Sequence, residues 1–186
     1  MKSNFSACQF ENALRFAAEA HLGQPIPGSA IPYLAHVFLV AVEVINHLDD
    51  IPDEDPDLLV QTALLHDVLE DTMTTREEIR AKFGEEVEYC VFLLSREIKS
   101  ENSEKKEFDT YLDDLANGPR AAQIVKLADR IVNLRQPPAD WEDQHIADYA
   151  ESAEKIFKHL GSADPALASR LKDKIDNYRR LNVKTG

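Results

Sequence analysis

The chain has 186 residues, 44% of them apolar, with a formal net charge of −13. This predicts one domain over residues 1–186 with its own core, and the acidity excludes nucleic acid or an anionic membrane as the main partner, because both select a basic footprint. No run approaches the ~20 apolar residues of a membrane helix, the N-terminus lacks a signal-peptide core, and two cysteines, Cys8 and Cys90, make neither a disulfide framework nor a zinc site, so the expected location is cytoplasmic.

In chain order, residues 6–22 predict a first helix, with Phe10, Leu14, Ala17, Ala18 and His21 at helical spacing and Gly23 as its stop. Residues 24–32 form a stiff loop punctuated by Pro25, Pro27, Gly28 and Pro32. Residues 33–48 predict an apolar helix with His36 in its first turn and Leu39, Val40, Val42, Val44 and Ile45 inward. An acidic turn over 49–56 leads to a helix over 57–69 that is apolar almost all round, which is the mark of a buried helix. Thr74 with Glu77 has capping-box spacing for a helix running to Phe83. Further helices are predicted over 85–98, 108–116, 121–134, 143–160 and 165–181, with a polar segment over 99–106. No stretch alternates with period 2. The reading is all-α, with about nine helices.

The chemistry centres on His66-Asp67-Val68-Leu69-Glu70-Asp71-Thr72, at the end of the buried helix. At helical spacing His66 lies under Glu70 and Asp67 under Asp71. Three carboxylates this close repel and resist burial. No Lys or Arg occurs between Arg15 and Arg76 to offset them. A divalent metal answers that need; the plainer alternative is a helix ending in solvent with a polar cap. His36 is a second candidate ligand, or a core histidine bonded to a carbonyl. Asp129, in the apolar run Ile124-Val125-Lys126-Leu127-Ala128-Asp129-Arg130-Ile131-Val132, is a third. A carboxylate there is either metal-bound or paired with Lys126 or Arg130, and Asn133 shares its face. Imidazole and carboxylate together suit Mn, Fe or Zn.

A lone His, then His-Asp, then an Asp in a late helix resembles the HD superfamily of metal-dependent phosphohydrolases. The string His66-Asp67-Val68-Leu69-Glu70-Asp71-Thr72, followed by Thr75, Phe83-Gly84 and Val87, resembles the hydrolase domain of RelA/SpoT-type alarmone enzymes. So do Gly28, Pro32-Tyr33 and His36, and Lys126-Leu127-Ala128-Asp129-Arg130 with Asn133-Leu134. Trp141, His145 and Tyr149 are similar to the C-terminal segment of the stand-alone small alarmone hydrolases, and no synthetase domain follows before Gly186. The resemblance implies the HD helical bundle and one Mn²⁺ held by His36, His66, Asp67 and Asp129. It implies that Glu70 and Asp71 act on the attacking water. It also implies hydrolysis of the 3′-diphosphate of ppGpp or pppGpp to pyrophosphate and GDP or GTP, with Asn133 and Tyr149 lining the nucleotide pocket.

Two positions depart from that pattern. The residue after His36 is often Pro and is Val37 here. The loop from Gln24 to Ile31 has no cation, where many alarmone hydrolases place one against the nucleotide. Cations for a phosphate must then come from Lys126, Arg130 and Arg135, or from Arg96 and Lys99. Three readings stay open: ppGpp hydrolysis, the same centre acting on a ppApp-type alarmone or the 2′-phosphate of NADPH, and a nucleotide sensor without turnover. Other residues have ordinary expectations. His47 is expected at the surface, His21 at a helix dipole, and His145 and His159 exposed. Trp141 serves in packing, and Tyr149 in packing or in the pocket. The acidic runs 49–57 and 85–88 are expected to be solvated faces.

Overall fold

Several of the helices start where a side chain satisfies orphan N–H groups. Ser6 accepts from Gln9 N–H to open α1 (Ala7–Ala20), and Asp55 accepts from Asp57 N–H ahead of Pro56 to open α3 (Pro56–Leu65). Between them runs α2 (Leu34–Ile45), followed by a 3₁₀ turn at Leu48–Asp50. The computed structural model describes residues 5–95, 104–135, 137 and 141–182. After α3 come the single-turn α4 (Val68–Asp71), α5 (Arg76–Phe83), α6 (Glu85–Leu94) and α7 (Glu104–Ala116). They are followed by α8 (Arg120–Asn133), α9 (Asp143–Leu160) and α10 (Pro165–Asn182). Among the described residues there is no strand, only an isolated bridge between Pro25 and Pro32, so the fold is all-α. Nine of the helices have eight residues or more. No helix among the described residues is long and apolar enough to cross a membrane.

The bundle is built round α3 and α8. In α3, seven of ten residues are buried, Leu59 through Leu65. In α8, eleven of fourteen are buried, including Lys126, Asp129 and Arg130. The two pack on each other; α1, α2 and α6 also surround α3, while α2, α9 and α10 cover α8. Polar side chains on helices this deep must find partners or a ligand.

Several details differ from the sequence-based expectations. The helix expected over 57–69 breaks at His66 and Asp67: Glu70 N–H bonds to the Asp67 carbonyl rather than to that of His66. The register of Asp67 under Asp71 survives (Asp71 N to Asp67 O, 3.0 Å), but His66 closes α3. The cap of α5 is Thr75 with Glu78, one residue later than expected. Both Thr-x-x-Glu pairs match the motif, but the Thr74 hydroxyl is engaged by Thr72, the C-cap of α4, whose own hydroxyl donates to the carbonyl of Val68, the first residue of α4. Leu39 is 37% exposed because α2 turns Val37, Val40, Ala41 and Val44 inward instead. Glu88 is buried, not solvated, with Arg76 and Arg80 both bonded to its carboxylate. The candidate cations Arg96 and Lys99, with the segment 99–103, lie outside the described residues.

Candidate metal centre and nucleotide pocket

Three elements carry the centre. His36 comes from the first turn of α2, His66 and Asp67 from the break between α3 and α4, and Asp129 from the middle of α8. The donor atoms converge. His36 Nε2 lies 3.3 Å from His66 Nε2 and 3.4 Å from both Asp67 Oδ2 and Asp129 Oδ1. His66 Nε2 lies 2.9 Å from Asp67 Oδ2 and 3.7 Å from Asp129 Oδ1. His36, His66 and Asp129 are all buried.

The chemistry of this donor set fits a divalent cation. His66 Nδ1 lies 2.8 Å from the Ala63 carbonyl, so the ring N–H belongs on Nδ1 and Nε2 turns its lone pair to the centre. Two imidazole lone pairs and two carboxylates then face one another, and only positive charge reconciles them. Without a metal, protons supply it. Burial alone would lower the His66 pKa, but the Asp67 charge and hydrogen bonds to Asp129 and Asp67 outweigh it and lift it to about 10. His36 is raised in the same way, against its burial, by Asp129 and Asp67. Burial would raise both carboxylates, yet the imidazoles hold Asp67 and Asp129 well below the usual range. The residues that could hold a metal are therefore His36, His66, Asp67 and Asp129.

A second layer fixes the ligands. Tyr33 donates its hydroxyl to Asp67 Oδ2 at 2.6 Å, and burial together with the Asp67 charge pushes its pKa up, so the O–H remains a donor. Asn133 donates to Asp129 Oδ1 at 2.6 Å, and Lys126 Nζ approaches Asp129 Oδ2 at 3.6 Å. The face that Asn133 shares with Asp129 is used to orient the carboxylate.

Over the centre opens a cavity of about 160 Å³. Its walls bring together Glu70 and Asp71 from α4, Lys126, Arg130 and Asn133 from α8, and Tyr149 from α9, beside Tyr33, Asp67 and Asp129. Arg130 is 5% exposed, with Nη1 donating to Ser152 Oγ at 3.2 Å and its guanidinium 4.4 Å from the centroid of the Tyr149 ring. Its Nε has no partner, and no carboxylate pairs with it among the described residues. Trp141 stands edge-on to Tyr149 at 5.1 Å and stacks on the exposed His145 at 4.0 Å.

Sequence reasoning missed Gln24, Tyr33 and His21 as parts of this site. Gln24 Nε2 donates to Asp71 Oδ2 at 3.0 Å, and its Oε1 meets His21 Nδ1 at 2.8 Å. The only signal for Tyr33 was its place in Pro32-Tyr33; for Gln24 there was none, since the pairing spans 47 positions. His21 is the C-cap of α1, at the end of the first helix as expected, and is buried against the Tyr33 ring (5.0 Å). His47 is half-buried between Glu43 (3.8 Å) and Asp50 (3.5 Å), not exposed. His159 is also half-buried, its Nδ1 on the Lys155 carbonyl.

The HD domain family matches residues 13–166. The chain belongs to the HD-domain family, alongside the MESH1-type hydrolases. Guanosine-3′,5′-bis(diphosphate) 3′-pyrophosphohydrolase MESH1 of Xenopus tropicalis is 32% identical over 164 residues, 86% of this chain and 88% of the relative. The human MESH1 is 31% identical over 171 residues, covering 89% and 92%. A solved structure described as a metazoan ortholog of SpoT that hydrolyzes ppGpp superposes with a TM-score of 0.75 at 26% identity, covering 95% of this chain and 97% of that one. HD domains bind divalent metal, in keeping with the His/His/Asp cluster of this chain.

Proposed function

We propose that this HD domain hydrolyses the 3′-diphosphate of guanosine 3′,5′-bispyrophosphate, releasing pyrophosphate and GDP (GTP from pppGpp), with one Mn²⁺ per chain. The observation that carries the reading is Arg130. A guanidinium buried without a carboxylate partner demands an anion, and it faces the pocket directly over the donor cluster. A diphosphate supplies that anion.

His36, His66, Asp67 and Asp129 hold the metal in this reading, and when bound it acidifies a water and offsets phosphoryl charge. The chain's own groups do the rest. Glu70 and Asp71 sit on the pocket wall and accept the proton of the attacking water. The water oxygen bonds to the phosphorus attached at the 3′-oxygen, that P–O bond breaks, and a proton returns to the 3′-oxygen. Lys126 and Arg130 neutralise charge on the phosphates. Asn133 keeps Asp129 oriented and borders the nucleotide, and Tyr149 offers a flat face stiffened by Arg130 and Trp141.

The test is pyrophosphate release from ppGpp by metal-stripped protein, with and without added Mn²⁺, beside ppApp and NADPH. Release from ppGpp only with Mn²⁺ is expected. Turnover confined to another nucleotide moves the specificity to the cation-free loop at Gln24, and none despite bound metal leaves a sensor. His66→Ala and Asp67→Ala are expected to lose metal and turnover together. Glu70→Ala is expected to keep its metal, measured by elemental analysis, while kcat falls by about 10²–10⁴; unchanged turnover would remove Glu70 from proton transfer.

A further inference from the structure

α4 is a helix of four residues, Val68–Asp71, flanked by the break at His66 and Asp67 and by the extended backbone of Thr72 (φ −128°, ψ −176°). One turn has no cooperative rigidity of its own. Yet Asp71, its last residue, has its carboxylate in the pocket wall, where orientation decides whether a proton can be taken. Something outside α4 has to hold it.

We propose that Gln24 is a positioning residue: its carboxamide, braced by the buried imidazole of His21, holds Asp71 in the orientation the pocket requires. Three observations combine. First, Gln24 is pinned by its own backbone, with its N–H on the His21 carbonyl (3.0 Å) and its carbonyl accepting Tyr33 N–H (2.8 Å). It is therefore the joint between the end of α1 and the start of α2. Second, its side chain cannot flip. A carboxylate only accepts, so Nε2 must face Asp71 Oδ2 and Oε1 must face His21 Nδ1, which carries the ring N–H. Third, His21 is 4% exposed and packed against Tyr33, the residue that also holds Asp67. One joint thus supports both Asp67, through Tyr33, and Asp71, through Gln24. Gln24 spends its amide on Oδ2, which in this proposal leaves Asp71 Oδ1 to take the water's proton. In this chain the loop before Pro32-Tyr33 serves the carboxylate, not the nucleotide.

The role rests on the proposed hydrolysis, and the experiment separates the two. Gln24→Leu removes the donor with little change of volume, and Gln24→Glu turns a carboxylate toward Asp71. In Mn²⁺-loaded protein both are expected to lower kcat for ppGpp about tenfold to a hundredfold, with KM, metal content and melting temperature unchanged. In an Asp71→Ala background, where there is no carboxylate to hold, Gln24→Leu should change the residual rate less than twofold, because the two residues act as a unit. Equal losses in both backgrounds, a rise in KM instead of a fall in kcat, or no loss at all overturns the role. If the wild-type chain turns over no ppGpp, the hydrolysis reading falls by itself. Crystal structures of the wild type and Gln24→Leu then decide: one Asp71 rotamer in the wild type and several in the variant upholds the brace, and the same rotamer in both overturns it.

Discussion

At His66 a single hydrogen bond sets the chemistry of the centre. Its Nδ1 is spent on the Ala63 carbonyl, so Nε2 faces two carboxylates and another imidazole, and the site takes either a proton or a metal there. Proton and metal compete. Because the His66 pKa is raised from 6.5 to about 10, metal affinity is expected to climb as pH rises across that interval. Titration calorimetry at pH 7 in buffers of different ionisation enthalpy should register protons released on Mn²⁺ binding; none released would mean the imidazoles are already neutral. The linkage has the opposite sign for the metal-free protein. A raised pKa favours the folded state fully below pH 6.5 and loses that contribution as pH passes about 10, so the metal-free melting temperature is expected to fall over that range.

The elements most exposed to substitution are the short ones. Gly84 ends α5 and begins α6 with φ 93° and ψ 171°, a region essentially restricted to glycine. A Cβ there meets no neighbour within 4 Å, so the cost is backbone strain alone. Gly84→Ala is expected to destabilise by about 2 kcal/mol in urea unfolding. The same corner is tied by Glu88, buried under Arg76 and Arg80. Burial works to raise its pKa, but the two guanidiniums hold it below the ordinary 4.5. Its contribution is therefore present above pH 4.5 and lost as pH falls through the lowered value. Glu88→Ala frees two guanidiniums that are 40% and 51% exposed and can turn to water, one of them still stacked on Phe92, so the expected loss is about 1 kcal/mol in urea unfolding. Both substitutions lie away from the pocket, so kcat should hold while stability drops.

For the whole molecule, the centre works as a clamp. Its four candidate ligands lie on α2, at the α3–α4 break and on α8, the elements that also form the middle of the bundle. An ion that binds only the folded arrangement should stabilise it by about 2.7 kcal/mol at a hundredfold excess over Kd. Stripping with a chelator is expected to lower the melting temperature, and Mn²⁺ to restore it in a concentration-dependent way; in Asp129→Ala the Mn²⁺ response should vanish. The acidic surface makes the pocket's cations local. Lys126 and Arg130 are held within α8, so raising ionic strength should weaken nucleotide binding less than it would for exposed cations.

The helices and the kinds of donor were legible from residue order alone. Periodicity marks α1, α3, α8 and α9, because an amphipathic or fully apolar stripe is a local property. The residues at the centre could be named as types, since an imidazole or carboxylate inside an apolar run has to be paired or ligated. Local rules failed where two local solutions competed. The α3 helix breaks at His66 and Asp67 although the sequence runs on helically, and Thr75 caps because Thr72 has already taken Thr74. Which groups meet depends on the packing of the helices. The distances from His36 to Asp67 and Asp129, the Tyr33 bond that aims Asp67, and the Gln24 bond to Asp71 all join residues of distant positions, whereas the Asn133 bond to Asp129 lies within α8, on the face that helical spacing already assigns them. Packing also decided that Glu88 is buried and Leu39 is not. A side chain's depth depends on what packs over it, and no neighbour in sequence records that.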